Sequence, residues 1–265
     1  MALICVLGDA HLDVIVRLSG PVAPDTDTPA RTQLGVGGQA ANVAAWVSAL
    51  GGQARLIAAR GTDLAAGLVA RELDRRGVEL AGPVLDGPTG VVVSLSERGT
   101  SRSMLTDRGV GPRLSAATLD PGWLAGCDWL HLPAYSLASE PVSGAALAAA
   151  AQAPRLSVDL SSTALLRDYG AARFRGLLGR LRPAVVFGTE DEVALIGELP
   201  GPADLVVKLG PRGVRAGGQV HPARPVRAVD PTGAGDAFAA GYLVGGVSLG
   251  LDATARAVAK MGAMP

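Results

Sequence analysis

Short apolar runs alternate along the chain with segments whose apolar residues fall at helical spacing. This alternation predicts a mostly parallel β-sheet covered by helices on both faces. Residues 3–7 form an unbroken apolar run ended by Gly8, the pattern of a strand buried on both sides. Val43, Trp46, Val47 and Leu50 mark a helix over 39–50, closed by Gly51-Gly52. The rhythm continues with a strand at 56–58 and a helix over 64–76 stopped by Gly77. A strand over 129–132 and an Ala-rich helix over 142–151 follow. Further strands are expected at 156–158, 184–187 and 205–209, a short helix at 191–196 and a longer one over 234–244.

Two stretches interrupt this rhythm. Residues 12–34 carry Pro21, Pro24 and Pro29 among short β-like pieces. Residues 89–105 read as a hairpin, with Val91-Val92-Val93 and residues 102–105 flanking a turn at Glu97-Arg98-Gly99. Both are expected to leave the main sheet and form a small β lid, with lid segments at about 12–35 and 88–106 of one domain spanning 1–265.

Composition narrows the function classes. Hydrophobic residues at 48% and charged residues at 18% are a globular profile, not a disordered one. Lys+Arg and Asp+Glu balance at 24 each with no basic run, which argues against a nucleic-acid or anionic-membrane surface. No stretch matches the 18 or so consecutive apolar residues of a membrane span. Cys5 and Cys127 are far apart in sequence and lack a CxxC pairing, so they read as small buried residues of a reducing, cytoplasmic protein.

The strongest chemical signal is Asp230-Pro231-Thr232-Gly233-Ala234-Gly235-Asp236 at the start of a helix. Glycines at a helix N-terminus let backbone N–H groups approach an anion, and the helix dipole adds positive potential there. A carboxylate in that nest suits phosphoryl transfer to an alcohol: the amides hold the phosphoryl charge while Asp236 accepts the hydroxyl proton. The helix terminus is expected to lower the Asp236 pKa. A second signal is Gly35-Val36-Gly37-Gly38-Gln39-Ala40-Ala41-Asn42, where paired glycines leave room for a ligand and Asn42 offers both a donor and an acceptor. The first strand leads into Gly8-Asp9-Ala10-His11-Leu12-Asp13, at the carboxyl end where α/β sheets place ligands. Asp13 there suits a pair of sugar hydroxyls. His11 reads mainly as a partly buried polar residue. Arg108 is a candidate for an anionic group of the substrate, Tyr135 for stacking on a sugar or base, and Asp159 for the ATP side or a turn cap.

Together, Gly37-Gly38…Asn42 and Asp230-x-Thr232-Gly233-Ala234-Gly235-Asp236 resemble the two signature regions of the PfkB (ribokinase-like) family of carbohydrate and nucleoside kinases. Gly61-Thr62-Asp63 with Gly67, Lys208-Leu209-Gly210-Pro211-Arg212-Gly213 and Gly262-Ala263-Met264-Pro265 are similar to the family's intermediate and closing landmarks. The resemblance implies a Rossmann-like αβα sandwich with a β lid, ATP as donor, Mg2+, and a CH2–OH acceptor on a sugar, sugar acid or nucleoside. It implies Asp236 as base, with the amides of Gly233, Ala234 and Gly235 as anion hole. Asp13, Gly37, Gly38 and Asn42 would contact substrate, with His11 and Arg108 as further candidates. Lys208, Gly210, Gly213 and Thr189 would lie on the ATP side and Glu192 on the Mg2+ side. Asp230 and Thr232 would mark a candidate K+ loop, and a homodimer through the lid is implied as well.

The resemblance breaks in three places. Thr189-Glu190-Asp191-Glu192 stands where the family has Asn-x-x-Glu, Pro231 where many relatives have Thr, and the segment from Asp236 to Val258 is short. The first and last of these motivate a competing reading, a non-catalytic relative that senses a sugar or nucleotide. The chain carries neither a GxGxxG between its first strand and helix nor a GxxxxGK[ST], which counts against dinucleotide oxidoreductases and P-loop enzymes.

Overall fold

The computed structural model describes residues 2–97 and 101–265. The first half of the chain runs β1 (Leu3–Leu7), β2 (His11–Leu18), β3 (Ala30–Gly37), α1 (Gln39–Ala49), β4 (Gln53–Ile57) and α2 (Leu64–Arg75). It continues with β5 (Val78–Ala81), β6 (Thr89–Glu97) and β7 (Ser101–Gly109). The second half begins with β8 (Trp129–Pro133), α3 (Ala134–Ala138), α4 (Val142–Ala150), β9 (Leu156–Asp159), α5 (Thr163–Tyr169) and α6 (Ala171–Leu181). It closes with β10 (Val185–Thr189), α7 (Glu190–Ile196), β11 (Asp204–Lys208), β12 (Val214–Ala216), β13 (Gln219–His221) and α8 (Ala234–Val258).

Nine strands form one sheet in the order β13-β12-β11-β10-β9-β8-β1-β4-β5. It is parallel from β11 to β5, and β12 and β13 add an antiparallel edge. The central strands are buried along their length, as their apolar runs require. One core cluster packs α1, α2 and α8 on one face and includes Trp46 and Phe238; the other face holds Phe174, Leu177 and Leu178 of α6. Cys5 and Cys127 are both buried in that second cluster and carry free thiols, in keeping with the sequence reading.

The two excursions build a separate four-stranded sheet, β3-β2-β6-β7. The prolines lie in the loop between β2 and β3, so the expected short pieces are two continuous eight-residue strands paired from His11↔Gly37 to Leu18↔Ala30. The hairpin is present as β6 and β7, and its expected turn at Arg98-Gly99 falls outside the described residues.

Helix α8 runs 14 residues beyond its expected end at Val244, because the chain turns at Gly245-Gly246 (φ −151° and 79°) and re-enters a helix. Its returning half passes close enough that a Cβ on Gly241 would lie 2.7 Å from the Gly250 Cα. Among the described residues α8 alone has the length and mean hydropathy of a membrane-spanning helix, at 1.2. The sequence expectation had excluded any such stretch. The glycine break and the packing of α8 in the first core cluster account for its apolar character.

Candidate active site

The carboxyl ends of β1, β8, β9, β10 and β11 lie by the N-termini of α1 and α8, where Asn42, Lys208, Asp159, Gly235 and Asp236 come together, while Arg108 lines a different cavity. Asn42, in the first turn of α1, donates from Nδ2 to Asp236 Oδ2 at 2.8 Å. Lys208, ending β11, forms an ion pair of 2.7 Å with Asp159 at the end of β9. Its Nζ would stand 3.1 Å from a Cβ placed on Gly235. The ammonium group therefore lies against the helix start that carries Asp236. Asp159 is 1% exposed and also accepts from Ser161 N–H at 2.9 Å, so it both faces Lys208 and caps its turn.

Gly233 precedes α8 in the left-handed region (φ 77°), and a Cβ there would meet Ala263 at 2.6 Å. The closing segment 262–264 is thus packed under the helix start. The Ala234 amide is not available to an anion, since it donates to Pro231 O at 3.2 Å. This corrects the expected set of three amides. The first turn of a helix leaves such N–H groups without an intrahelical acceptor, and Gly233, Gly235 and Asp236 lie in or next to that turn.

The Asp236 pKa also departs from expectation. Desolvation pushes it up to about 7, Asp159 and Asp9 add to the rise, and the Asn42 hydrogen bond and Lys208 oppose it. A helix dipole contributes a fraction of a kcal/mol to about 2 kcal/mol, whereas taking a carboxylate out of water costs more. Burial wins.

Where β3 runs into α1, Gly37 and Gly38 are required by close approach. A Cβ on Gly37 would sit 2.3 Å from Asp13 Oδ2, and one on Gly38 (φ 107°) 2.5 Å from Asp9 O. The Asp13 carboxyl is therefore laid against Gly37, and the Asp9 backbone against Gly38. His11 Nδ1 stands 3.0 Å from Asp13 Oδ1 and Nε2 3.8 Å from Asp9 Oδ2, so the imidazole separates two carboxylates. The sequence reading gave no role to Asp9. Its Oδ1 accepts from Ala40 N–H at 3.3 Å and its carbonyl from Ala41 N–H at 3.3 Å, which ties the end of β1 to the start of α1. Its signal was its place directly after an apolar strand.

At the end of β10, Thr189 caps α7 in a reciprocal box: Thr189 N–H donates to Glu192 Oε2 at 2.7 Å and Glu192 N–H to Thr189 Oγ1 at 3.4 Å. The 6%-exposed Glu192 side chain thereby serves the helix start. Gly210 and Gly213 form the tight β11–β12 turn, where Leu209 N–H donates to Gly213 O at 2.8 Å. The Asp230 carboxylate accepts from Thr232 N–H at 2.9 Å, from the Thr232 hydroxyl, and from Gly262 N–H at 3.0 Å. His131, unremarked in the sequence, is fully buried in β8 with Nδ1 2.9 Å from Ser157 Oγ. Burial, with help from Lys208 and against Asp159, pushes its pKa down to about 4. As an isolated histidine in an apolar run it gave no signal.

Arg108, at the end of β7, places its guanidinium 5.5 Å from the ring centre of Tyr135. The two line one cavity of about 700 Å3 with Ser162, Asp168, Tyr169 and Arg173, so the two isolated candidates share one wall.

The profile of the pfkB family carbohydrate kinases matches residues 1–264. The chain belongs to this family. It is 32% identical over 247 residues to an ATP-dependent ribose-1-phosphate kinase of Halopiger xanaduensis, covering 89% of this chain and 82% of that one. It is also 32% identical over 281 residues to a fructokinase of Klebsiella pneumoniae, covering 97% and 88%. Among solved structures, a putative ribokinase II of E. coli superposes with a TM-score of 0.86 at 21% identity, covering 100% of this chain and 95% of that one. A putative ribokinase II of E. coli in complex with ATP and Mg2+ also matches, at a TM-score of 0.84 and 21% identity over 100% of this chain and 95% of that one. The pfkB assignment agrees with the ribokinase-like fold, the separate lid sheet and the sugar-kinase class.

Proposed function

We propose that this pfkB-family chain transfers the γ-phosphoryl group of ATP to a CH2–OH of a sugar, sugar acid or nucleoside, with Asp236 as the base. The observation that carries the reading is the Asp236 carboxyl: held by Asn42 at 2.8 Å, raised to about 7, at a helix start whose Gly235 meets Lys208. A base with a pKa near neutrality accepts a proton far better than an ordinary aspartate. In the transfer, the acceptor oxygen attacks the γ-phosphorus, the bond to the ADP oxygen breaks, and the hydroxyl proton passes to Asp236. The amides of Gly233, Gly235 and Asp236 and the Lys208 ammonium face the negative charge of the phosphoryl oxygens. Asp13 binds acceptor hydroxyls against Gly37-Gly38.

Among the described residues there is no cluster of three or more metal-ligating side chains. Asp159 and Glu192 beside Lys208 suit an ion that draws most of its ligands from phosphates and water, as Mg2+ does. Bound with the nucleotide, Mg2+ would supply positive charge across the phosphate oxygens. The buried Asp230, held by neutral donors of Thr232 and Gly262, supports a K+ site at that loop.

The Arg108–Tyr135 cavity supports an acceptor that carries an anionic group. Its test is Mg2+-dependent ADP release with a panel of fructose, ribose, ribose 1-phosphate, a keto-sugar acid and a nucleoside. Turnover of an anionic acceptor is expected, with kcat/KM lowered about tenfold or more in Arg108→Ala. No turnover above Asp236→Ala with any acceptor overturns the kinase reading.

The row Leu34–Val14–Val93–Leu105, in register across the lid, leaves Leu34 and Leu105 more than half exposed and supports pairing of two lids. Light scattering is expected to give a dimer that Leu105→Glu dissociates.

A further inference from the structure

A second cleft, of about 600 Å3, lies between the lid and the face of the body formed by α2 and the closing segment. It contains none of Asn42, Lys208 or Asp236, and borders the site described above at Asp13, at Gly35-Val36, at the Asp230–Thr232 loop and at the closing segment with Gly262 and Ala263. Its walls are cationic. Arg17 comes from β2 of the lid, Arg71, Arg75 and Arg76 from α2, and Lys260 from the segment after α8. Against them stand Glu72, Asp13 and Asp230, and each is engaged. Glu72 bonds both Arg75 (2.8 Å) and Arg76 (2.9 Å), Asp13 faces His11, and Asp230 holds Thr232 and Gly262.

Arg17 and Arg71 face the cleft from opposite walls, and among the described residues neither has an acidic partner. Lys260 has its pKa depressed by burial first and then by the charges of Arg76 and Arg256, the mark of a local excess of positive charge. A third kind of observation points the same way. Ser94, on β6 of the lid, is 4% exposed, lines this cleft, and its Oγ has no hydrogen-bond partner among the described residues. Ile15, Leu68 and Met104 supply apolar surface beside these groups.

We propose that this cleft is a second ligand site, separate from the catalytic one, for a small phosphorylated metabolite whose phosphate is held between Arg17 of the lid and Arg71 of the body. Planar guanidinium forks match phosphate oxygens, a free hydroxyl serves one oxygen more, and the apolar wall takes the carbon skeleton. A ligand that bridges lid and body biases the position of the lid and thereby acceptor affinity. That consequence depends on the kinase reading; the binding does not.

The test is titration calorimetry of the full chain with inorganic pyrophosphate while a saturating non-hydrolysable ATP analogue occupies the catalytic site. One equivalent of pyrophosphate is expected to bind, more weakly as salt rises. Affinity is expected to fall at least tenfold in Arg17→Ala/Arg71→Ala and to persist in Lys208→Met. Both arginines are exposed, so the double variant is expected to melt like the parent. Absence of this equivalent, or undiminished binding in the double variant, overturns the proposal. A chain that turns over no acceptor yet binds pyrophosphate in this arginine-dependent way would overturn the kinase reading alone.

Discussion

Replacing Asp236 with Asn should abolish turnover and stabilise the protein at the same time, and the stability gain should depend on pH. The folded-state pKa of about 7 lies about three pH units above the ordinary 3.8, chiefly through desolvation. Well below pH 4 the folded and unfolded chains both hold this proton, and the group leaves stability unchanged. Between pH 4 and 7 the unfolded chain releases the proton while the folded chain keeps it, so the parent loses stability as pH rises and the loss levels off above 7. Three pH units at about 1.4 kcal/mol each give about 4 kcal/mol as an upper bound. The side chain is partly solvated, so the expected gain for Asp236→Asn at pH 8 is about 2 to 4 kcal/mol, or about 5–10 °C in Tm, shrinking toward zero below pH 4. Asn keeps an oxygen to accept from Asn42, so the fold is retained. Calorimetric melting at pH 4, 6 and 8 with a coupled ADP assay reads both effects, with kcat expected to fall by 10² or more. In the parent, kcat/KM should rise about tenfold per pH unit up to about pH 7 and then level off. A variant less stable than the parent at every pH, or a flat parent profile from pH 5.5 to 8.5, would refute the argument.

Gly37→Ala should raise the KM for the acceptor at least tenfold and leave nucleotide binding unchanged, because a Cβ 2.3 Å from Asp13 Oδ2 displaces that carboxyl; steady-state kinetics in both substrates checks this. Lys208→Met should cost about 3–5 kcal/mol by leaving the 1%-exposed Asp159 unpaired, and adding Asp159→Asn should restore the Tm but not turnover. Exchange of K+ for Na+ at constant ionic strength should lower kcat several-fold if the Asp230 loop takes a cation, and Asp230→Asn should remove the difference.

What the sequence made legible was local. The buried strand β1, helix α1 and the glycine-rich start of α8 each carry their pattern within a dozen residues, and their residues occupy the expected places. The lid strands were harder, because Pro21, Pro24 and Pro29 suggested interruption where they only fill the loop between β2 and β3. Helices α5 and α6 went unread although Phe174, Leu177 and Leu178 supply the expected i, i+3, i+4 face; Gly170, Gly176 and Gly179 masked it. The second half of α8 was hidden behind Gly245-Gly246, which end one helix and allow another to return alongside it. Non-local facts had no sequence signal: the 49-residue separation between Asp159 and Lys208, the Arg108–Tyr135 contact and the second cationic cleft exist only once the sheet order is known.

The Asp236 pKa shows why a motif alone misleads about chemistry. Read as a helix N-terminus, the glycine-rich stretch promises a strongly acidic aspartate and hence a poor base. The fold reverses this by setting the start of α8 beside α1 and the ends of β9 and β11, where water is displaced and Asp159 and Asp9 add negative charge. The same placement brings the two groups that keep the shift moderate, the Asn42 amide and the Lys208 ammonium. Asp159, paired with Lys208, offsets the pull of that ammonium on Asp236 and keeps the carboxyl from becoming strongly acidic. Asp159 therefore helps set the pKa of the proposed base. Its removal with Lys208 left in place should lower the Asp236 pKa and shift the acid limb of the rate profile to lower pH, an effect that a purely structural ion pair would not produce.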